Sequence, residues 1–389
     1  MAEHASQSHD CGAALSERRS FRLGYQPSLD GFRGVAILAV MLYHTGILTG
    51  GFLGVDMFFV LSGFLITSLL LEEIATTGRV GLRAFYVGRA LRVVPALIPV
   101  VVIAGGAMIV LDPSLATVGF VLSVVLCVAN WAIVWGLPQG LLGHAWALAI
   151  GAQFYAMWPP LLLTLTRVIR RRWMLLLVVI AAVALAMAYR SKIMTTPAGM
   201  ARIYVGLDTH ADPVLIGCAL AIFCASPLFR RSCRALVAWN ILGVLAGLAL
   251  FTMLVSARFP EDYVFAAAST WAALASALVI VAALLPSSPC GDVLAGAPLT
   301  WLGRRAYALY LWHYPVFYVA GPLWKPDANP TPALLAWVAT FALAATSYRY
   351  IEQPALDLKT KLATRHAEAT AWSERREALL DEAVRPGAV

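Results

Sequence analysis

Apolar residues recur along this chain in eleven runs, near 34–49, 55–71, 93–111, 115–135, 145–167, 173–189, 213–226, 236–256, 264–285, 306–321 and 331–350. Most approach the roughly 20 residues that a helix needs to cross a bilayer, so the pattern predicts membrane-spanning α-helices. The loops between them are short and basic: Arg18 to Arg22, Arg79 to Arg92, Arg167 to Arg172, Arg230 to Arg234, Arg304–Arg305, and the stretch after Lys359. The positive-inside rule places all of these on the cytoplasmic side. Eleven crossings break that rule, because a crossing at 115–135 puts the 167–172 and 230–234 clusters on the wrong faces. Segment 115–135 carries Asn130, Trp131 and Trp135 and leads into Gly136-Leu137-Pro138-Gln139-Gly140, as expected of backbone buried against protein or lining a cavity. The expected fold is therefore all-α, a polytopic transmembrane helical bundle of about ten crossings plus one re-entrant or non-crossing segment near 115–135. Both termini are expected in the cytoplasm, with the chain in the cell (inner or plasma) membrane.

Composition narrows the class further. Of 389 residues, 60% are hydrophobic and 13% charged, too few polar groups to cover a soluble protein. The net charge of +8 then reports orientation and not a nucleic-acid footprint, so membrane lipid is an expected partner and nucleic acid is not. The cysteines, Cys11, Cys127, Cys218, Cys224, Cys233 and Cys290, show neither a disulfide framework nor metal-ligand spacing. Residues 1–27 read as a polar cytoplasmic tail, 28–356 as the membrane domain, and 357–389 as a cytoplasmic or interfacial helical tail with mixed charges. The first span is expected to remain as an anchor, and no soluble domain is expected to be appended.

Two ionisable residues share the first run. Arg33 and His44 are eleven positions apart, which at about 100° per residue returns both to one helix face. The rise sets them roughly 16 Å apart along the axis. Ionisable groups inside a span are costly and usually functional, whereas the bland reading is a snorkelling Arg and an isolated polar His. Farther on, Arg89 and Arg92 lie three apart on one helical face at the cytoplasmic edge. Paired guanidinium groups suit a polyanionic phosphate ligand, and equally suit an ordinary positive-inside anchor.

Together these pieces resemble a known family, the integral-membrane acyltransferase family 3, over nearly the whole chain from Leu29 to about Pro354. The resemblance begins with Leu29-Asp30-Gly31-Phe32-Arg33-Gly34 and Tyr43-His44, an R-x10-H pattern. It continues through Gly54-Val55-Asp56-Met57-Phe58-Phe59-Val60-Leu61-Ser62-Gly63-Phe64 and the R-x-x-R of Arg89 and Arg92. Later come Tyr204 to Asp212, Tyr310-Leu311-Trp312-His313-Tyr314-Pro315, and Ser347 to Pro354. The order and spacing of these motifs carry the resemblance jointly.

The resemblance implies a membrane O-acyltransferase that uses cytoplasmic acyl-CoA, most often acetyl-CoA, as donor substrate with no permanently bound cofactor or metal. The implied acceptor is a hydroxyl of a carbohydrate or glycosylated natural product. Arg33, Arg89 and Arg92 would hold the donor. His44 would act as general base on the acceptor hydroxyl, or as a covalent acyl carrier. Asp56 reads as an orienter of His44, a ligand of an acceptor hydroxyl, or a helix cap. Ser62-Gly63 reads as close helix packing. Asp208 and Asp212 read as acceptor ligands or caps, His313 as a tunnel residue or a hydrogen-bonded core histidine, Tyr155 as substrate-binding, and Glu352 as structural.

The chain departs from the family at His144-Ala145-Trp146-Ala147-Leu148-Ala149-Ile150-Gly151-Ala152-Gln153-Phe154-Tyr155. Gly151 and Ala152 stand where the family commonly has two glutamates, and Ala147 and Ala306 replace serines. A different acceptor, substitution by Asp56 or Asp208, and weakened catalysis are the competing explanations. Two other functions remain open at this point: a transporter or flippase of a lipid-linked or polyol substrate, and a non-catalytic partner subunit.

Overall fold

In the computed structural model, the described residues are 23–362 apart from 195, 197–198, 233–234, 260–261 and 324–330. The polar segment before residue 23 and most of the expected tail lie outside them. The described residues are helical, with no strand among them. Six helices are long and apolar enough to cross a membrane: Gly51–Thr77, Leu82–Leu111, Ala145–Val168, Arg172–Ile193, Leu236–Ser256 and Thr331–Leu362. Shorter apolar helices at Leu115–Val125, Asp212–Cys224 and Ala268–Ala283 accompany them. Large apolar side chains such as Val110, Leu115, Leu185 and Val237 stand more than 70% exposed on the perimeter, as a lipid-facing surface requires.

Helix α1 (Pro27–His44) opens with proline in its first turn, where the missing amide costs nothing. It ends at His44, after which the chain turns through Gly46 at φ 73° into a 3-10 turn, Gly51–Leu53. The first span was expected to reach residue 49, so His44 caps the helix end and is not midway along it. Helix α2 (Gly54–Thr77) follows and is largely buried as far as Leu71. Helix α3 (Leu82–Val100) contains Pro95 and Pro99 and passes through a π turn, Val101–Gly105, into α4 (Gly106–Leu111). The prolines remove two amide donors, and the wider turn absorbs the mismatch.

Segment 115–135 is broken, as its polar content suggests: α5 (Leu115–Val125) and α6 (Ala129–Val134) are separated by Cys127 at φ 58°. Ser114 caps α5 by accepting from the Thr117 amide. The hydroxyls of Thr117 and Ser114 donate to Asp112, which lowers its carboxyl below the ordinary range. Helices α7 (Ala145–Val168), α8 (Arg172–Ile193), α9 (Gly199–Val205), α10 (Asp212–Cys224), α11 (Pro227–Ser232), α12 (Leu236–Ser256) and α13 (Asp262–Ala283) continue the bundle. The stretch 286–305, expected to be a loop, instead forms α14 (Pro289–Leu294) and α15 (Ala297–Arg304). Helix α16 (Ala306–Ala320) precedes α17 (Thr331–Ser347), which runs through a π turn, Tyr348–Glu352, and on to residue 362. No break marks the domain boundary expected at residue 356.

Close crossings fix α1 and α2. A Cβ on Gly31 or Gly34 would strike the backbone of Leu294 or Leu299, and one on Gly303 would strike Asp30. A Cβ on Gly63 would meet the Val214 carbonyl, and one on Gly217 the Val60 carbonyl. Small residues thus let α1 lie on α15, and α2 on α10, backbone to backbone. For Gly63 the expected packing role is realised.

Candidate active site

Two cavities follow from this packing, staggered along α1. The first, about 1110 Å³ of open space, takes Arg33 from α1, Arg89 and Arg92 from α3, and Gly151, Ala152 and Tyr155 from α7. The four residues expected to bind donor or substrate on this side, Arg33, Arg89, Arg92 and Tyr155, are therefore brought together. The Arg89 guanidinium stands 5.4 Å from the ring centroids of both Phe85 and Tyr155, a cation–π arrangement. Arg33 pairs with Asp30, one turn earlier; Asp30 also accepts from the Tyr25 hydroxyl at 2.9 Å. Neither Arg89 nor Arg92 has a carboxylate partner among the described residues. A Cβ on Gly151 would meet nothing within 4 Å, so the wall is open where the family has its carboxylates.

The second cavity, about 1210 Å³, is lined by His44, His144, Tyr43, Gln139, Trp146, Tyr204, Tyr310 and Tyr314, among others, and by no Asp, Glu, Lys or Arg among the described residues. Val55 and Tyr310 line both cavities, so the two are adjacent and share this wall. The His44 ring lies 5.2 Å from that of His313 and 5.1 Å, edge to face, from Tyr314. The His144 ring stacks on Tyr314 at 5.0 Å and lies 5.6 Å from His313. Tyr310 donates its hydroxyl to the His144 carbonyl at 2.8 Å, pinning the first turn of α7 to α16.

His313 is fully buried and lines neither cavity, which matches the alternative of a hydrogen-bonded core histidine and not that of a tunnel residue. One ring nitrogen lies 3.1 Å from the Leu309 carbonyl, and Nε2 has no partner. It backs His44 from behind. His144 was missed as a site residue, although it opens the motif that ends at Tyr155. Both its ring nitrogens are buried and unpartnered, which makes it a ready ligand for a polar group.

Three acidic assignments are corrected. Asp56 does not reach His44: its Oδ1 lies 2.6 Å from His210 Nε2 and accepts from the Ser269 hydroxyl at 2.7 Å. It makes no cap bond either. His210 Nδ1 lies 2.5 Å from the Tyr204 carbonyl, which can only accept, so a proton also sits between Nε2 and Asp56. The result is a buried, proton-sharing His–Asp pair. His210 in turn packs against Trp146 and Tyr204, two walls of the second cavity. Asp212 is wholly buried and bound by Arg190 at 2.7 Å and the Thr270 hydroxyl at 2.5 Å. Asp208 pairs with Arg202 at 2.5 Å. Neither Asp208 nor Asp212 lines a cavity, because each is consumed by an arginine that sequence spacing does not reveal.

No solved structure matches the chain. The peptidoglycan O-acetyltransferase OatA of Listeria monocytogenes is 33% identical over 350 residues, covering 85% of this chain and 56% of that protein. A Bacillus subtilis protein named "Putative peptidoglycan O-acetyltransferase YrhL" is 34% identical over 351 residues, 85% of this chain and 55% of its own. The chain thus spans about half the length of the curated relatives it matches. A family model described as an acyltransferase domain matches residues 26–349, which hold every residue of both cavities. With the motifs, the membrane helices and this match in agreement, the chain belongs to the membrane-bound acyltransferase family that this domain defines.

Proposed function

We propose that the protein moves an acyl group, acetyl in the first instance, from acyl-CoA in the arginine cavity to a carbohydrate hydroxyl in the histidine cavity. The observation that carries this reading is the junction at Val55 and Tyr310, with guanidinium groups on one side and His44 on the other. Arg89 and Arg92, free of carboxylates, take the donor's phosphates, and the pantetheine arm runs toward the junction. His44 accepts the proton of the acceptor hydroxyl as its oxygen attacks the thioester carbonyl carbon. The carbon–sulfur bond then breaks, and the imidazolium returns the proton to the departing thiolate. Tyr314 and His313 hold the His44 ring in place for both transfers.

The acceptor follows from the second cavity's lining. Tyr43, Tyr204, Tyr310 and Tyr314 offer aromatic faces with hydroxyl groups, Trp146 an aromatic face with an N–H, and none a fixed charge, which suits a sugar ring or a glycosylated small molecule. The relatives' names add peptidoglycan to the acceptors to be tried. In this reading the arginine cavity opens to the cytoplasm, both termini lie on that side, and the histidine cavity faces the outer leaflet.

The test is transfer of labelled acetyl from acetyl-CoA to glycan oligomers by the purified protein in nanodiscs. His44→Ala is expected to abolish transfer while the protein remains folded and inserted. Full activity in that variant overturns the assignment, and uptake of the glycan without any acyl donor would make the protein a transporter.

A further inference from the structure

We propose that the helix beyond Glu352 completes the donor site, with Lys359 acting as a third phosphate-binding cation beside Arg89 and Arg92. This rests on the donor reading above. The family match stops at residue 349, whereas the helix continues to residue 362 and lies along α3. Glu352 and Lys359 are seven positions apart, two turns, and so share the face turned toward α3. The two helices run antiparallel at this place: Glu352 lies within electrostatic reach of Arg92, and Lys359 beside Gly88, one residue before Arg89.

Gly88 makes the approach possible. A Cβ there would stand 3.1 Å from Lys359 Cε and 3.8 Å from its Nζ, so the lysine stem occupies the space a side chain would fill. Lys359 is half-buried and within electrostatic reach of both Arg89 and Arg92. None of the three has an ion-pair partner among the described residues. An ordinary snorkelling lysine would turn its ammonium into water away from like charges. Here three cations converge instead, and a polyanion is the ligand that relieves their repulsion. Glu352, 6% exposed with Oε1 unpartnered, is within electrostatic reach of Arg92 but forms no salt bridge with it. The matching ligand carries phosphate on more than one atom, as the nucleotide end of coenzyme A does, and not a single carboxylate.

Full-length protein in nanodiscs tests this by transfer kinetics with acetyl-CoA and by equilibrium dialysis with coenzyme A and with inorganic pyrophosphate. For Lys359→Ala the donor KM is expected to rise about ten-fold with kcat unchanged, and Lys359→Arg to restore it. Gly88→Leu keeps every charge but evicts the lysine stem, and is expected to reproduce the Lys359→Ala effect. A wild-type KM in Lys359→Ala, with Arg89→Gln impaired, overturns the proposal and leaves the donor reading standing. Pyrophosphate binding weakened by Lys359→Ala in a protein that ignores coenzyme A upholds the cation site and overturns the donor. Binding of neither probe by wild type overturns both.

Discussion

Removing His210 should harm this protein more than removing His210 and Asp56 together. The two form a pair with each side chain 1% exposed, held at 2.6 Å and joined by Ser269. In His210→Ala the Asp56 carboxylate keeps only the Ser269 hydroxyl in a site closed to water. Breaking a buried pair by deleting one partner costs about 3–5 kcal/mol, because the surviving charge is stranded. At about 2 °C per kcal/mol for a chain of this size, the midpoint should fall by roughly 6–10 °C. Ser269→Ala removes one hydrogen bond to a charged group, and should cost at most about 1.5–3 kcal/mol. The double variant Asp56→Ala/His210→Ala leaves the Tyr204 carbonyl and the Ser269 hydroxyl without these partners but strands no charge, so it should recover about 2 kcal/mol relative to His210→Ala. Thermal unfolding in detergent, followed by tryptophan fluorescence, measures all three. Trp146 and Tyr204 rest on His210, so transfer activity should drop in the single variant even below its melting range. With Asp56→Ala measured as the fourth corner of the cycle, a double variant whose loss equals the sum of the Asp56→Ala and His210→Ala losses would refute the pairing argument, since independent sites add.

Other outcomes follow from the same geometry. Arg89→Gln orphans no acid, so its melting midpoint should stay at the wild-type value while the donor KM rises about 10–100-fold, the loss of a charge-assisted contact. Arg33→Gln takes the closer cation from Asp30, which keeps the Tyr25 hydroxyl at 2.9 Å and Arg304 at 3.9 Å, so it should lower donor affinity with only a small fall in melting midpoint, read in the same two assays. Gly63→Ala drives a Cβ into the Val214 carbonyl and should destabilise by about 1–3 kcal/mol, less about 0.5–1 kcal/mol gained in helix preference. Gly151→Ala, with nothing within 4 Å, should keep that gain and melt no lower than wild type; equal losses in the two glycine variants would contradict the packing described.

What the sequence revealed was what lies close along one helix. The eleven-residue step from Arg33 to His44 placed both on α1, and the three-residue step placed Arg89 and Arg92 on one wall. The apolar runs also exposed the helical class, and the placement of the basic loops with the polar content of 115–135 singled that segment out as irregular. What it hid were partners supplied by distant helices. Asp56 and His210 are 154 positions apart, Asp212 is claimed by Arg190 and Thr270, and neither pairing leaves a local pattern. The short helices at 289–304 escaped for a related reason: they are amphipathic brackets that gain order by docking on α1, and too short to announce themselves by hydropathy. His313 was legible as a polar residue inside a span, but whether it faced a chamber or backed another imidazole depended on the rotation of α16.

The absence of fixed charge among the described residues lining the histidine cavity bears on the cell's energy supply. A protein that lets a thioester meet an acceptor across a bilayer risks short-circuiting the ion gradients on either side. Hydrated sodium or chloride entering a vestibule walled by rings and hydroxyls finds nothing to replace its water shell. The basic end repels cations before they arrive, and the tyrosine shared by the two chambers narrows what is left. On the proposed reading, an enzyme built this way can stay open to its substrates at both faces while remaining electrically tight.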